Sequence, residues 1–155
     1  MKVIAKILLI FWIALAALAG CKPQPEGLQP PEIRYGQEAC SACGMVIDEP
    51  RFAAATLLVS GEYLKFDDVG EMLSYHKNHP QDQVAAWFVH DYPTEKWIRG
   101  EQAFFVRSQD LQTPMGSGIA AFADQSAAAA FAAERSGEVF SLDKIRVQTH
   151  IAEHP

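Results

Sequence analysis

Four sulfur-bearing side chains are candidates for a shared metal site. Three lie in one short segment, Cys40-Ser-Ala-Cys43-Gly-Met45, where the glycine allows a sharp turn before the methionine. The fourth belongs to Met115, which turn residues surround in Thr-Pro-Met-Gly-Ser-Gly, so it lacks the helical or strand neighbours of a core methionine. Thiolate and thioether sulfurs are soft, polarisable donors that favour Cu(I) over harder ions. These residue types therefore indicate a soft-metal site.

A Cys-x-x-Cys pair also occurs in disulfides, redox sites, haem sites and zinc sites. A structural disulfide between Cys40 and Cys43 stays open from the residues alone. A thioredoxin-like redox site places the first cysteine at a helix N-terminus, whereas this motif follows a proline-rich segment and precedes Met-Val-Ile. A c-type haem site needs His after the second cysteine, where this chain has Gly44. Structural zinc commonly needs a second cysteine pair, which the sequence lacks.

Other ionisable groups give weaker indications. The five histidines show no spacing that matches a zinc cluster together with the cysteine pair, although His150 and His154 lie in a C-terminal tail from which they could assist a metal. Asp67 and Asp68 could form a carboxylate pair for acid–base chemistry, but their position before a predicted helix favours an N-cap. Ser117 does not fit a nucleophile elbow, because position 115 is Met and not Gly. No hydrolase site is predicted.

The N-terminus predicts secretion and lipidation. Lys2 and Lys6 give a basic start, and the apolar stretch at residues 7–19 is shorter than the roughly 20 residues of a membrane-spanning helix. The stretch leads into Leu-Ala-Gly-Cys21, which is similar to a bacterial lipobox, where the thiol receives diacylglycerol before cleavage in front of it. We therefore predict a cleaved signal peptide at residues 1–20 and a lipid anchor on Cys21.

The remaining chain is acidic and of single-domain size. Cleavage would leave 135 residues, enough for one domain or two very small subdomains. The formal net charge would fall from −6 to −8, because two lysines and no acid are lost. Such a domain is a poor match for nucleic acid, whose phosphates are bound by Lys and Arg. Residues 21–38 hold the lipidated cysteine and a proline-rich linker, which we expect to be a partly extended spacer.

The elements that must position the sulfur atoms follow a repeated order. Residues 53–59 and 62–66 predict a strand hairpin around a tight turn at Gly61. Asp67 or Asp68 can then cap a helix that stops before Pro80, and residues 84–89 predict a third strand. The helix is indicated by side chains that recur on one face at helical spacing, namely Val69, Met72, Leu73 and His76.

The second half repeats the order strand, strand, helix, strand. Strands are predicted at residues 101–106, 118–122 and 138–140, and an alanine-rich helix opens at Asp124 and ends near Gly137. The predicted fold class is α+β, with two similar ββαβ units in tandem and small mixed sheets that each carry one helix. The first unit is assigned to residues 39–99 with the cysteine site, and the second to residues 100–155 with the Met115 loop and a C-terminal tail.

Taken together, these motifs resemble the NosL family. The resemblance rests on Cys40-x-x-Cys43-Gly-Met45, on the Phe-Asp-Asp junction at residues 66–68, and on the Thr-Pro-Met-Gly-Ser-Gly segment followed by Ala-Phe. It covers residues 38–140, and the lipobox agrees with it. The family is described as lipoproteins with two similar ββαβ units, associated with maturation of nitrous oxide reductase.

The resemblance implies a copper-binding accessory protein and not an enzyme. Its expected cargo is one Cu(I) ion for the multinuclear copper centre of nitrous oxide reductase, held by Cys43, Met45 and Met115, with Cys40 as a further ligand or as a disulfide partner of Cys43. The expected partners are the apo-reductase and an ABC-type transporter complex of the same system. The lipid on Cys21 would hold the domain on the periplasmic side of the inner or the outer membrane.

Two other functions agree with parts of the sequence. Cys40 and Cys43 could serve a thiol–disulfide oxidoreductase or a reductant acting on a copper-site protein, but such exchange has no use for Met45 and Met115. An adaptor that only docks a transporter would have no metal affinity.

Overall fold

The computed structural model describes residues 28–148 of the chain. The predicted signal peptide, the lipidation site Cys21 and the two C-terminal histidines, His150 and His154, lie outside these residues. Between residues 28 and 148, no helix combines the length and the apolar character needed to cross a bilayer.

The first half of the fold is a four-stranded sheet with one helix. The sheet has the order β2-β1-β3-β4. All five residues of β1 are buried, as expected for a central strand covered on both faces. The elements in chain order are β1 (Ala54–Leu58), β2 (Tyr63–Phe66), α1 (Val69–Asn78), β3 (Val84–His90) and β4 (Trp97–Arg99).

The second half is a three-stranded sheet with two helices. Its order is β6-β5-β7. Short 3-10 turns at Pro50–Phe52 and Gly100–Gln102 precede the first strand of each half. The elements in chain order are β5 (Phe104–Arg107), β6 (Ile119–Phe122), α2 (Gln125–Glu134), β7 (Glu138–Phe140) and α3 (Leu142–Gln148).

The α+β class and the repeated ββαβ order are confirmed. In each half the first strand is central, between its hairpin partner and the strand that follows the helix. The sheets are antiparallel throughout, however, and the prediction of mixed sheets is wrong in this respect. The physical reason is that one helix carries the chain back along the sheet, so the next strand starts at the end where the central strand stopped.

Two aspartates fix where the helices begin. The Asp68 side chain caps α1 by accepting a hydrogen bond of 2.6 Å from the Gly70 amide. The Asp124 side chain caps α2 by accepting one of 2.8 Å from the Ala127 amide. Both bonds satisfy amides that have no partner inside the helix, and both caps agree with the sequence prediction.

One hydrophobic core serves both halves. Helix α1 buries the predicted face, including Met72 at 0% exposure, and the same cluster contains Phe105 of β5 and Ile145 of α3. The main chain also joins the halves, since the Tyr92 amide donates to the Ala121 carbonyl at 2.8 Å. The cysteine segment and the Met115 loop therefore belong to one folded unit with a common hydrophobic core.

Two elements were not predicted. Strand β4 extends the first sheet by pairing with β3, and α3 forms where a C-terminal tail was expected. The helix is held by burial of Leu142 and Ile145, because seven residues alone make a marginal helix in water.

Candidate metal centre

The two cysteines of the motif lie in a narrow hairpin. Ala39 pairs with Val46, and the Cys40 amide donates to the Met45 carbonyl at 2.7 Å. Gly44 closes the turn with φ +75°, a left-handed conformation that glycine adopts without strain. Neither cysteine stands at a helix N-terminus, so the helix dipole that activates a redox thiol is missing at this motif.

The hairpin is fastened to the outer edge of the first sheet. The Ser41 amide donates to the Lys65 carbonyl at 2.7 Å, and the Lys65 amide donates to Ser41 Oγ at 2.9 Å. Lys65 belongs to β2, the strand that leads directly into the Phe-Asp-Asp junction. The cysteines are thereby held beside the strand end that carries Asp67.

Cys40, Cys43 and Asp67 form a compact group of potential ligands. Their two sulfur atoms and a carboxylate oxygen all lie within 4.8 Å of one another. Within residues 28–148, this is the one group of three His, Cys, Asp or Glu side chains placed closely enough to hold a metal ion. Both cysteines are free thiols, and the Cys43 thiol donates to Asp67 Oδ1 at 3.9 Å.

The two thiols differ in environment. Cys40 is buried and Cys43 is exposed. Burial raises the pKa of the Cys40 thiol to about 12, although the backbone N–H groups of Cys43, Asp67 and Ala42 favour its thiolate and oppose that shift. Cys40 is therefore a protonated thiol at neutral pH. If a metal cation displaces this proton, the same backbone N–H groups can donate hydrogen bonds to the bound sulfur.

Asp67 is a site residue that the sequence interpretation missed. That interpretation gave both aspartates to a helix cap, but only Asp68 caps α1, and Asp67 is turned toward the cysteines. Both residues lie in the bend between β2 and α1, where their side chains reach different partners. Because an N-cap is a single position, the second aspartate of the pair is the signal that could have separated them.

The Met115 loop is attached to the neighbouring residue, Asp68. The Met115 amide donates to Asp68 Oδ2 at 3.1 Å, and the hydroxyls of Thr113 and Ser117 each donate to the same carboxylate at 2.5 Å. Two segments distant in sequence, the cysteine hairpin and the Met115 loop, thus contact consecutive residues of the Phe-Asp-Asp junction.

Not every predicted ligand joins the compact group. The structure brings Cys40 and Cys43 together with Asp67. Met45 follows in the same hairpin and is 54% exposed, and Met115 is 38% exposed on its loop. Coordination by these two methionines stays a prediction.

The surroundings of this group of ligands carry negative charge. Glu71 lies in the first turn of α1, near Asp67 and Asp68. Its pKa is raised by burial and by the negative charges of those two carboxylates. Such a concentration of negative charge attracts a cation. The sulfur donors favour a soft cation, whereas the Asp67 carboxylate, a hard donor, matches Cu(I) less well and is better suited to accept the thiol hydrogen bond.

Sequence and structure comparisons identify similar proteins. The sequence model of the NosL family matches residues 32–150. A copper-binding lipoprotein NosL from Stutzerimonas stutzeri is 26% identical over 140 residues, which cover 83% of this chain and 73% of that protein. The crystal structure of the copper chaperone NosL from Shewanella denitrificans has a TM-score of 0.65 and 22% identity, over 77% of this chain and 96% of that one. This structural similarity shows a common fold.

Proposed function

Because this chain belongs to the NosL family, we propose that it is a Cu(I) metallochaperone, a copper-delivering protein and not an enzyme. The observation that carries the proposal is the approach of Cys40, Cys43 and Asp67 to within 4.8 Å of one another. Soft sulfur ligands favour Cu(I) over harder metal ions. The names of the two similar proteins, a copper-binding lipoprotein and a copper chaperone, support the same conclusion.

The cargo is one Cu(I) ion, and its proposed ligands are Cys43, Met45, Met115 and Cys40. Cys43 and both methionines are exposed, so a ligand of the acceptor protein can reach a metal that they hold. Thioethers bind without losing a proton, which keeps them available in an oxidising compartment. Copper then passes by stepwise exchange of sulfur ligands, and no free ion is released.

The proposed acceptor is apo-nitrous oxide reductase, whose multinuclear copper centre needs several copper ions. We propose that an ABC-type transporter complex of the same system is the second partner. The lipid on Cys21 holds the domain at the periplasmic side of a bacterial membrane, with the chain that precedes Ile33 as a spacer, since Ile33 is buried in the hydrophobic core and Glu38 pairs with Lys65. Support for these assignments is family membership and the lipobox in the sequence.

Cu(I) binding is tested by competition titration with a chromophoric Cu(I) chelator. We expect one ion per chain, and we expect Cys43→Ser or Met115→Ala to weaken affinity by orders of magnitude while the circular dichroism spectrum stays unchanged. Met72→Leu is the matched control, because that methionine is buried in the core at 0% exposure. Unchanged affinity in both site variants would remove the metal-site assignment.

Delivery and anchoring need separate tests. The copper-loaded chain should raise the copper content of apo-reductase that is mixed with it and then purified again, and Cys43→Ser should not. Cys21→Ala should abolish incorporation of labelled fatty acid, and exchange of residues 1–21 for a cleavable signal peptide without a lipobox should move the protein from the membrane fraction to the periplasmic extract. A copper-loaded wild-type chain that transfers nothing would contradict the acceptor assignment but not the metal site.

An insulin-reduction assay separates the chaperone from a thiol–disulfide oxidoreductase. We expect no turnover, because Cys40 is buried with a raised pKa and neither cysteine stands at a helix N-terminus. Turnover that depends on both cysteines and not on Met115 would favour the oxidoreductase.

A further inference from the structure

We infer that Asp68 and Gly70 are positioning residues, which fix the Met115 loop on the N-terminus of α1 and thereby place the Met115 thioether beside the cysteine hairpin. The inference rests on the proposed function, since it assumes that Met115 serves as a copper ligand. Its structural part, the attachment of the loop, is testable without any metal.

The Asp68 side chain binds the Met115 loop as well as capping α1. Its side chain is fully buried, at 0% exposure, and it accepts four hydrogen bonds. One comes from the Gly70 amide of its own helix, and the other three come from Thr113, Met115 and Ser117 of the loop. An ionised carboxylate has about four acceptor positions, so each of them is occupied.

Gly70 makes the close approach of the loop possible. A Cβ atom at this position would stand 2.2 Å from Ser117 Cβ and 2.8 Å from Ser117 Oγ. Its φ is not in the left-handed region, so the requirement for glycine here comes from space and not from backbone conformation. Alanine would displace the loop, although alanine inside a helix is normally more stable than glycine.

The repeat shows that these contacts exceed the needs of capping. Asp124 occupies the corresponding strand-to-helix junction of the second unit, is exposed, and caps α2 through the Ala127 amide. The loops differ as well, because residues 59–62 join β1 to β2 whereas residues 108–118 join β5 to β6. The longer loop of the second unit therefore reaches back to the helix N-terminus of the first, where Asp68 receives it.

Replacing Asp68 by asparagine separates the two tasks of the side chain. Asparagine is as good an N-cap as aspartate, so its oxygen can keep the bond to the Gly70 amide. Its NH2 group would then face the Met115 amide, which is also a donor, and this loop contact would be lost. Asp68→Asn should free the loop while α1 keeps its cap.

The experiment uses the full-length chain purified in detergent, with four variants: Asp68→Asn, Gly70→Ala, Met115→Ala and the matched control Asp124→Asn. In the metal-free protein, amide hydrogen exchange at Met115 should rise at least tenfold in Asp68→Asn and Gly70→Ala and stay unchanged in Asp124→Asn. Cu(I) affinity should fall about ten- to hundredfold in the first two, as is typical when the support of a metal ligand is removed. The double variant Asp68→Asn/Met115→Ala should bind no more weakly than Met115→Ala, because both changes remove the same ligand.

If the Met115 amide exchanges at the wild-type rate in both Asp68→Asn and Gly70→Ala, the inference is overturned. An affinity loss in Asp68→Asn that adds in full to that of Met115→Ala would also overturn it, since it would assign Asp68 an effect independent of the methionine. If Met115→Ala itself leaves Cu(I) affinity unchanged, the proposed ligand fails, and with it the functional part of this inference, whereas the exchange measurement still decides how the loop is held.

Discussion

The Cys43 thiol points at the Asp67 carboxylate, with 3.9 Å between Sγ and Oδ1 across 24 positions of sequence. The contact joins the exposed cysteine of the hairpin to the strand end that precedes α1. A carboxylate placed this way can orient the sulfur for a metal ion. Asp67 is thus a partner of the sulfur site, although no soft-metal pattern would select an aspartate.

We expect Asp67→Ala to weaken Cu(I) binding about ten- to hundredfold, which is less than the effect of Cys43→Ser, because Asp67 supports a ligand and is not itself a preferred one. Competition titration with a Cu(I) chelator measures the affinity of both variants. Asp48→Ala is the control, since it removes the same charge from an exposed position five residues after Cys43. Equal losses in the two aspartate variants would assign the effect to net charge alone.

Mild oxidation should distinguish surface methionines from the core. Met45 and Met115 are 54% and 38% exposed, whereas Met72 is 0% exposed. Hydrogen peroxide should therefore convert Met45 and Met115 to sulfoxides before Met72, and Cu(I) affinity should stay lowered after a thiol reductant has restored Cys40 and Cys43, since the sulfoxide is a polar group in place of a thioether. Peptide mass mapping follows the order of oxidation. Prior loading with Ag(I), a soft monovalent ion that stands in for Cu(I) and is not oxidised by peroxide, should protect both surface residues, and oxidation at an equal rate with and without Ag(I) would argue against their coordination.

Folding stability should fall when the pH drops toward the pKa of a buried histidine. His76 lies 2.9 Å from Thr56 Oγ1, its Nδ1 has no hydrogen-bond partner, and burial lowers its pKa to about 4. Asp82 opposes this shift, whereas Arg146 and His79 add to it. The unfolded chain, with an ordinary histidine pKa near 6.5, takes up the proton first as pH falls, so stability is full above about 6.5 and is lost between about 6.5 and 4.

We expect His76→Phe to remove about 1–2 kcal/mol of the stability loss between pH 7.5 and pH 5. Urea unfolding of the metal-free protein at the two pH values measures the difference. His79→Phe is the control, because His79 lies at the end of α1 and is less buried than His76. Identical pH dependence in wild type and His76→Phe would rule out this histidine as the cause.

A buried aspartate should contribute strongly to joining the two units. Asp91 is 6% exposed and accepts hydrogen bonds from the Ala123 amide at 2.9 Å and from the Thr94 hydroxyl at 2.5 Å. Asp91→Ala leaves both donors without this partner, so the free energy of unfolding should fall by about 2–3 kcal/mol. Denaturant unfolding tests this, with the exposed Asp48→Ala expected to change it by less than about 0.5 kcal/mol. If the free energy of unfolding falls no more than in the control, the prediction is wrong, and water satisfies the two donors in place of the carboxylate.

Much of the fold was predictable because its signals are local. The helix α1 was indicated by apolar spacing, its start by a capping aspartate, and the hairpins by short apolar runs around turn residues. Strand β4, at Trp97–Arg99, was missed because three residues are too few to show a period of two. Helix α3 was missed because its stability comes from burying Leu142 and Ile145, and not from its own seven residues.

The sequence by itself determined the chemistry that is predicted for the site, since two thiols and two thioethers in turn-rich segments are residue types that favour a soft metal. Only the tertiary structure decided which residues meet there. Asp67 joins Cys43 across 24 positions, and the Met115 amide joins Asp68 across 47. Contacts of this separation leave no periodic trace in the chain, because they arise when a hairpin and a long loop pack against the same strand end.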